Sequence, residues 1–178
     1  CTTLFGFSIN SFLPVFVNTI FHKGPETYTL LLVCSGAGSI TGALSVAAVE
    51  KMKGQGRVTL LILICLGISI AGFALSHWLP LSCVLMFLIG TALMSSASFM
   101  LSLAQLITTD AMRGRVMSVY SLAFRAGIPL GALALGKLIP IFGVTRTLAG
   151  TGVALLLVSL YFLILNREST FRPASEQA

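Results

Sequence analysis

Charge is what this 178-residue chain most lacks: Asp, Glu, Lys and Arg together make up 9% of it, and only 5 residues are acidic. A soluble domain carries about a quarter charged residues. Side chains this sparse cannot clothe a water-facing surface, so a soluble fold is excluded. Acid is missing above all from the apolar runs, none of which holds an Asp or Glu. That removes the paired carboxylates an intramembrane hydrolase or a buried metal site would need. Histidine is scarce too: His22 and His77 stand apart at the ends of apolar runs, and no metal or other cofactor is expected. There is no phosphate-cradling P-loop. The run Gly36-Ala37-Gly38-Ser39-Ile40-Thr41-Gly42 puts threonine where a dinucleotide fingerprint needs its last glycine. Three of the 4 cysteines, Cys34, Cys65 and Cys83, lie in apolar runs, which is not the pattern of a secreted disulfide scaffold. A net charge of +6 is too thin to suggest nucleic acid.

What the chain has instead is hydrocarbon. Hydrophobic residues reach 56% and the mean hydropathy is +1.00. A spanning helix takes about 20 apolar residues, and breakers divide the sequence into six such runs at 2–21, 28–49, 58–77, 81–107, 115–139 and 147–165. An open sheet in lipid would leave backbone groups unpaired, so the expected fold is all-α and integral to a membrane. The lipid bilayer is its first partner. The segment 167–178 reads as a polar tail. The chain opens on Cys1, with no basic stretch before the first apolar run, so no signal peptide is expected and an upstream portion is taken to be absent.

The bases fall on one side. Lys51, Lys53, Arg57, Arg113, Arg115, Arg167 and Arg172 occupy the even gaps and the tail, against Lys23 and Arg146 in the odd gaps. The positive-inside rule therefore puts the even gaps and both chain ends in the cytoplasm. Trp78 falls at the outer boundary, where an amphipathic ring is favoured.

Small residues suggest how helices meet. Gly38 with Gly42 and Gly127 with Gly131 form two Gly-x-x-x-Gly pairs, a spacing that lets helix backbones approach. Pro14 and Pro129 each remove a helical hydrogen bond and are expected to bend their helices.

A few polar groups could line a solute path. Arg125 lies about 15 Å along the helix from Arg115, near mid-depth, where an unpaired charge costs at least ~3 kcal/mol. It must face a wet cleft, a carboxylate elsewhere, or helix carbonyls. In the first run, Thr3, Asn10 and Pro14 fall within about 40° of one direction, and Asn10 could bond a solute or a neighbouring helix. In the fourth, Ser95, Ser98, Ser102 and Gln105 form a polar stripe that could serve either purpose.

Certain motifs are also familiar. Gly42-Ala43-Leu44, then eleven intervening residues, then Gly56-Arg57, resembles the loop signature between helices eight and nine of the major facilitator superfamily. Asp110-Ala111-Met112-Arg113-Gly114-Arg115-Val116-Met117-Ser118-Val119-Tyr120 resembles its loop between helices ten and eleven. Leu4-Phe5-Gly6-Phe7 through Leu13-Pro14-Val15-Phe16, with Gly24-Pro25-Glu26-Thr27-Tyr28, is similar to its helix seven and outer loop. The likeness is greatest to the branch of enterobactin-exporter-like and transmembrane secretion effector proteins. It implies the C-terminal six-helix half of a twelve-helix transporter, built from two inverted three-helix repeats and sited in a bacterial plasma membrane, its N-terminal six-helix half missing. It further implies export of a small molecule such as a drug or siderophore by alternating access, coupled to an ion gradient, with the proton as the coupling ion. Asn10, Ser95, Ser98, Ser102, Gln105 and Arg125 would then line the substrate pathway. Gly42, Glu50, Lys51, Gly56, Arg57, Asp110, Arg113, Gly114 and Arg115 would form cytoplasmic gate loops. One departure stands out: where the signature carries Asp then a base, the nearest acid here is Glu50, set before Lys51 with Lys53-Gly54-Gln55 intervening. The alternatives to a secondary transporter are a membrane subunit of an ATP-driven or multi-subunit assembly, and a non-transporting scaffold or receptor.

Overall fold

The computed structural model describes residues 6, 9–17, 25–49, 55–76, 78–106, 108 and 112–169. These form six α-helices: α1 (Ile9–Phe16), α2 (Pro25–Val49), α3 (Gln55–Leu75), α4 (Leu79–Leu106), α5 (Arg113–Phe142) and α6 (Val144–Ser169). No strand occurs among the described residues. The helices α2 to α6 are each long and apolar enough to cross a bilayer. Of the first expected span, 2–21, only Gly6 and 9–17 are described.

Local chemistry sets the helix ends. Pro25 opens α2, at the one helical turn where a missing N–H costs nothing, and Glu26 beside it suits the positive end of the helix dipole. The loop expected over 142–146 contracts to a single residue, Gly143. Its φ of 82° reverses the chain in a conformation that side-chain-bearing residues avoid. Its N–H caps α5 on the Ile139 carbonyl at 2.9 Å, and its own carbonyl accepts both the N–H of Thr147 (3.1 Å) and the Thr147 hydroxyl (2.8 Å). One glycine thus satisfies groups at the end of one helix and the start of the next, and no longer loop is required.

Two helix pairs hold the bundle together. Along α2 and α4 the backbones touch. A Cβ built on Gly38 would strike the Phe87 carbonyl, one on Gly42 the Thr91 carbonyl, and one on Gly90 the Ser35 carbonyl. Because Gly38 meets Phe87 and Gly42 meets Thr91 four residues later on both helices, α2 and α4 run parallel and in step. Hydroxyls stitch this seam: Ser95 donates to the Gly42 carbonyl at 3.1 Å, Ser39 reaches the Gly90 carbonyl at 3.5 Å, and Thr41 and Thr91 share a bond of 3.3 Å. The second pair is α3 with α6, which cross at two glycines. A Cβ on Gly67 would lie 2.9 Å from the Gly152 carbonyl, and one on Gly152 an equal distance from the Gly67 carbonyl. Lipid supplies little hydrophobic drive between helices, so this close van der Waals fit carries much of the association.

Between the two pairs lies a continuous apolar core. Leu13, Phe16 and Val17 come from the α1 region, and Leu66, Ile70 and Phe73 from α3. Met86, Ile89 and Leu93 come from α4, and Val144, Leu148 and Leu155 from α6. Phe16 and Phe73 stack with ring centroids 4.6 Å apart, both fully enclosed. From α5, Leu135 is fully enclosed and Ile139 is half-buried against this cluster.

Candidate functional site

The fifth helix is, for its length, the one most loosely packed against the others. It is the longest, at 30 residues, yet it meets α6 and α4 only lightly and its buried positions are Gly127, Gly131 and Leu135. Those three recur every fourth residue and define the face by which α5 leans on the rest. Leu122, Leu130 and Leu133 stand exposed on other faces.

Arg125 belongs to the open side. It lies about 160° round the helix from Gly127, close to the middle of α5, and its side chain is exposed. One turn on, Pro129 has no N–H to offer the Arg125 carbonyl. Guanidinium and carbonyl together make a polar point half-way along an otherwise apolar helix. Pro140 is a third helix-interior proline beside Pro14 and Pro129.

The fourth helix divides its polar stripe between two tasks. Ser95 is buried in the α2–α4 seam with its hydroxyl spent on the Gly42 carbonyl, so it makes a helix contact. Further along, Ser98 and Ser102 are half-buried and Gln105 is exposed, so the stripe emerges toward the C-terminal end of α4. Asn10 lies in α1, but its side chain is outside the described residues.

The residues expected at the cytoplasmic gate separate in the same way. Gly42 lies two turns inside α2, against the α4 backbone, where it serves helix contact. Gly56 and Arg57 fall in the first turn of α3, and Arg113, Gly114 and Arg115 in the first turn of α5. Arg113, Gly114 and Arg115 are exposed, and a Cβ on Gly114 would meet nothing. Glu50, Lys51 and Asp110 lie outside the described residues. Bases at the starts of α3 and α5 oppose the helix dipole, each at a cost of about 0.3–1 kcal/mol. Helix stability is therefore not why they are there.

Sequence reading missed the Gly67–Gly152 crossing and the meeting of Cys34 with Cys83. Each involves single residues on different helices, and no spacing within one helix signals them.

A bundle of apolar helices joined at glycine seams, with Arg113 and Arg115 at the start of the one helix left open, is the build of a multi-pass membrane protein. The chain matches the transmembrane secretion effector family of the major facilitator superfamily over residues 2–174, and it belongs to that family. This sets it among transporters rather than enzymes. It is similar to the Staphyloferrin A transporter of Staphylococcus aureus (strain NCTC 8325 / PS 47), with 26% identity over 163 residues. That match covers 92% of this chain and 41% of the relative, so the chain spans less than half the length of the curated relative it matches. No solved structure matches it.

Proposed function

We propose that this chain forms one six-helix bundle of a secondary transporter and works against a second, opposing bundle. The whole carries a small molecule such as a siderophore or drug out across a bacterial plasma membrane by alternating access. An ion gradient, of protons, drives it, and the C-terminus is cytoplasmic. The observation that carries this reading is Arg125, exposed at the middle of a 30-residue helix. Facing acyl chains there, it would cost at least ~3 kcal/mol. Facing a wet cavity shared with another bundle, it costs little and can bond an anionic group on the solute. A carboxylate-rich siderophore has that chemistry, and the name of the Staphylococcus aureus relative supports the class.

The remaining assignments follow from this geometry. Ser98, Ser102 and Gln105 of α4 continue the path toward the cytoplasm, with Asn10 of α1 as a further contact. Ser95 supports the wall from behind. Arg113, Gly114 and Arg115, with Gly56 and Arg57, close the inner side through charge-assisted hydrogen bonds to the opposing bundle. Proton coupling needs a titratable group within the membrane, and the apolar runs of this chain hold no carboxylate. The coupling acid therefore belongs to the opposing bundle.

The test is transport by the complete protein in inverted vesicles. Arg125→Ala is expected to lower uptake of an anionic solute by at least ~10-fold, the worth of one charge-assisted bond, with Arg125→Lys retaining part of it. Collapse of the proton gradient should abolish accumulation. Unchanged rate and affinity in Arg125→Ala would remove the assigned role, and accumulation driven by ATP alone would remove the class.

A further inference from the structure

The α2–α4 seam carries a feature that transport does not use. Gly38 beside Phe87 and Gly42 beside Thr91 are two rungs of one row running along both helices. One turn further out on the same row stand Cys34 on α2 and Cys83 on α4, and their thiols share a hydrogen bond. Both are free and half-buried. The missing side chain of Gly38 brings the two backbones together at the adjacent rung, and a disulfide needs its Cα atoms about 4.4–6.8 Å apart. Cys34 also borders an open groove of about 640 Å³ lined with Glu26, Thr29, Leu30 and Val33. Glu26 is in the first turn of α2, so the groove runs about 12 Å from the helix end down to the thiol. A small neutral molecule in this groove meets Cys34 among its lining residues.

We infer that Cys34 and Cys83 form an oxidation site, a dithiol that closes to an intrachain disulfide across the outer part of the α2–α4 seam when hydrogen peroxide enters the groove. Peroxide is suited to the position because it is small and uncharged. Cys34 gives up its proton and its sulfur attacks one peroxide oxygen. The O–O bond breaks, the departing hydroxide takes a proton and leaves as water, and Cys34 becomes a sulfenic acid. The Cys83 sulfur then attacks the Cys34 sulfur, its proton going to the departing hydroxyl, which leaves as a second water. Two thiols are oxidised by two electrons in all, and one peroxide is reduced to two waters. The hydrogen bond between the thiols makes the second step intramolecular, so it outruns reaction with a second chain.

The bond formed fastens the two helices covalently one turn above their glycine contacts. Cys65, exposed on α3, provides an internal control, since no thiol faces it among the described residues.

The experiment treats the full chain in lipid discs with peroxide, then unfolds it, labels the remaining thiols with a maleimide and maps linked peptides. The expected result is a monomer joining peptides that contain Cys34 and Cys83, with two of the 4 cysteines protected until a reductant is added. Cys34→Ser and Cys83→Ser should each abolish the link, and Cys65→Ser should leave it intact. The oxidised form should also unfold several degrees higher than the reduced one. A link through Cys65, disulfides only between chains, or four free thiols after excess peroxide would each overturn the assignment. So would a Cys34–Cys83 link that forms without raising the unfolding temperature, because the seam would then not be what it fastens.

Discussion

The α2–α4 seam and the α5 helix are opposite solutions to life in lipid. The seam spends its small residues on backbone contact and turns its hydroxyls inward onto carbonyls, as Ser95 does with Gly42. The α5 helix has glycines at the same spacing, Gly127 and Gly131, yet leaves long side chains exposed around most of its girth. Glycine spacing alone therefore does not make a tight seam. It permits one where the facing helix also offers backbone, as Gly90 of α4 does against Ser35. A helix that lacks such an opposing surface within its own bundle is free to serve another.

Substitutions on either side of this contrast should differ in scale. The largest loss is expected from Gly38→Leu, which drives a side chain into the Phe87 backbone. It should cost about 3 kcal/mol or more, read as loss of folded protein and early thermal aggregation in detergent. Phe73→Ala removes the enclosed ring stacked on Phe16 and should cost about 3–4 kcal/mol in the same assay. Ser95→Ala deletes one interhelical hydrogen bond and should cost about 0.6 kcal/mol, a small but resolvable drop in unfolding temperature. At the far end, Leu122→Ala and Arg125→Ala on the open side of α5 should shift stability by no more than about 0.5 kcal/mol. Should the α5 variants prove as damaging as Phe73→Ala, α5 would be part of the core and the contrast would fail. Stable Arg125→Ala protein that transports poorly would sharpen it, because stability and transport would then reside on different helices.

How much of this was legible beforehand depends on whether a property belongs to one helix or to two. Membrane residence and helical class are written in composition and run length, because lipid leaves an apolar segment few other ways to satisfy its backbone. The four-residue spacing of Gly38 and Gly42 is equally plain in the sequence. That they lie against Phe87 and Thr91 is not, since it depends on the relative rotation and height of α2 and α4. Gly67 and Gly152 are farther still from view, being one glycine on each of two helices far apart in the chain. Among the polar residues, Ser95 and Ser98 look alike in the sequence. The structure separates them by a rotation of about 300°, or 60° the short way, enough to put one in the seam and leave the other half-buried. A gap around Gly143 was legible, but not its contraction to one residue, because Phe142, Val144 and Thr145 read equally well as loop or helix, and only the positive φ of the glycine decides where the reversal falls.

That reversal has a mechanical consequence. With a single residue joining α5 to α6, the C-terminal end of α5 cannot slide away from its neighbour; it can only pivot there. Thirty residues of helix make an arm of about 45 Å, so a swing of about 5° at Gly143 carries Arg113 and Arg115, at the far tip, through about 4 Å. Arg125, nearer the middle, travels roughly half as far. A slight change of angle at the Gly143 end is thereby geared up into a stroke at the opposite end.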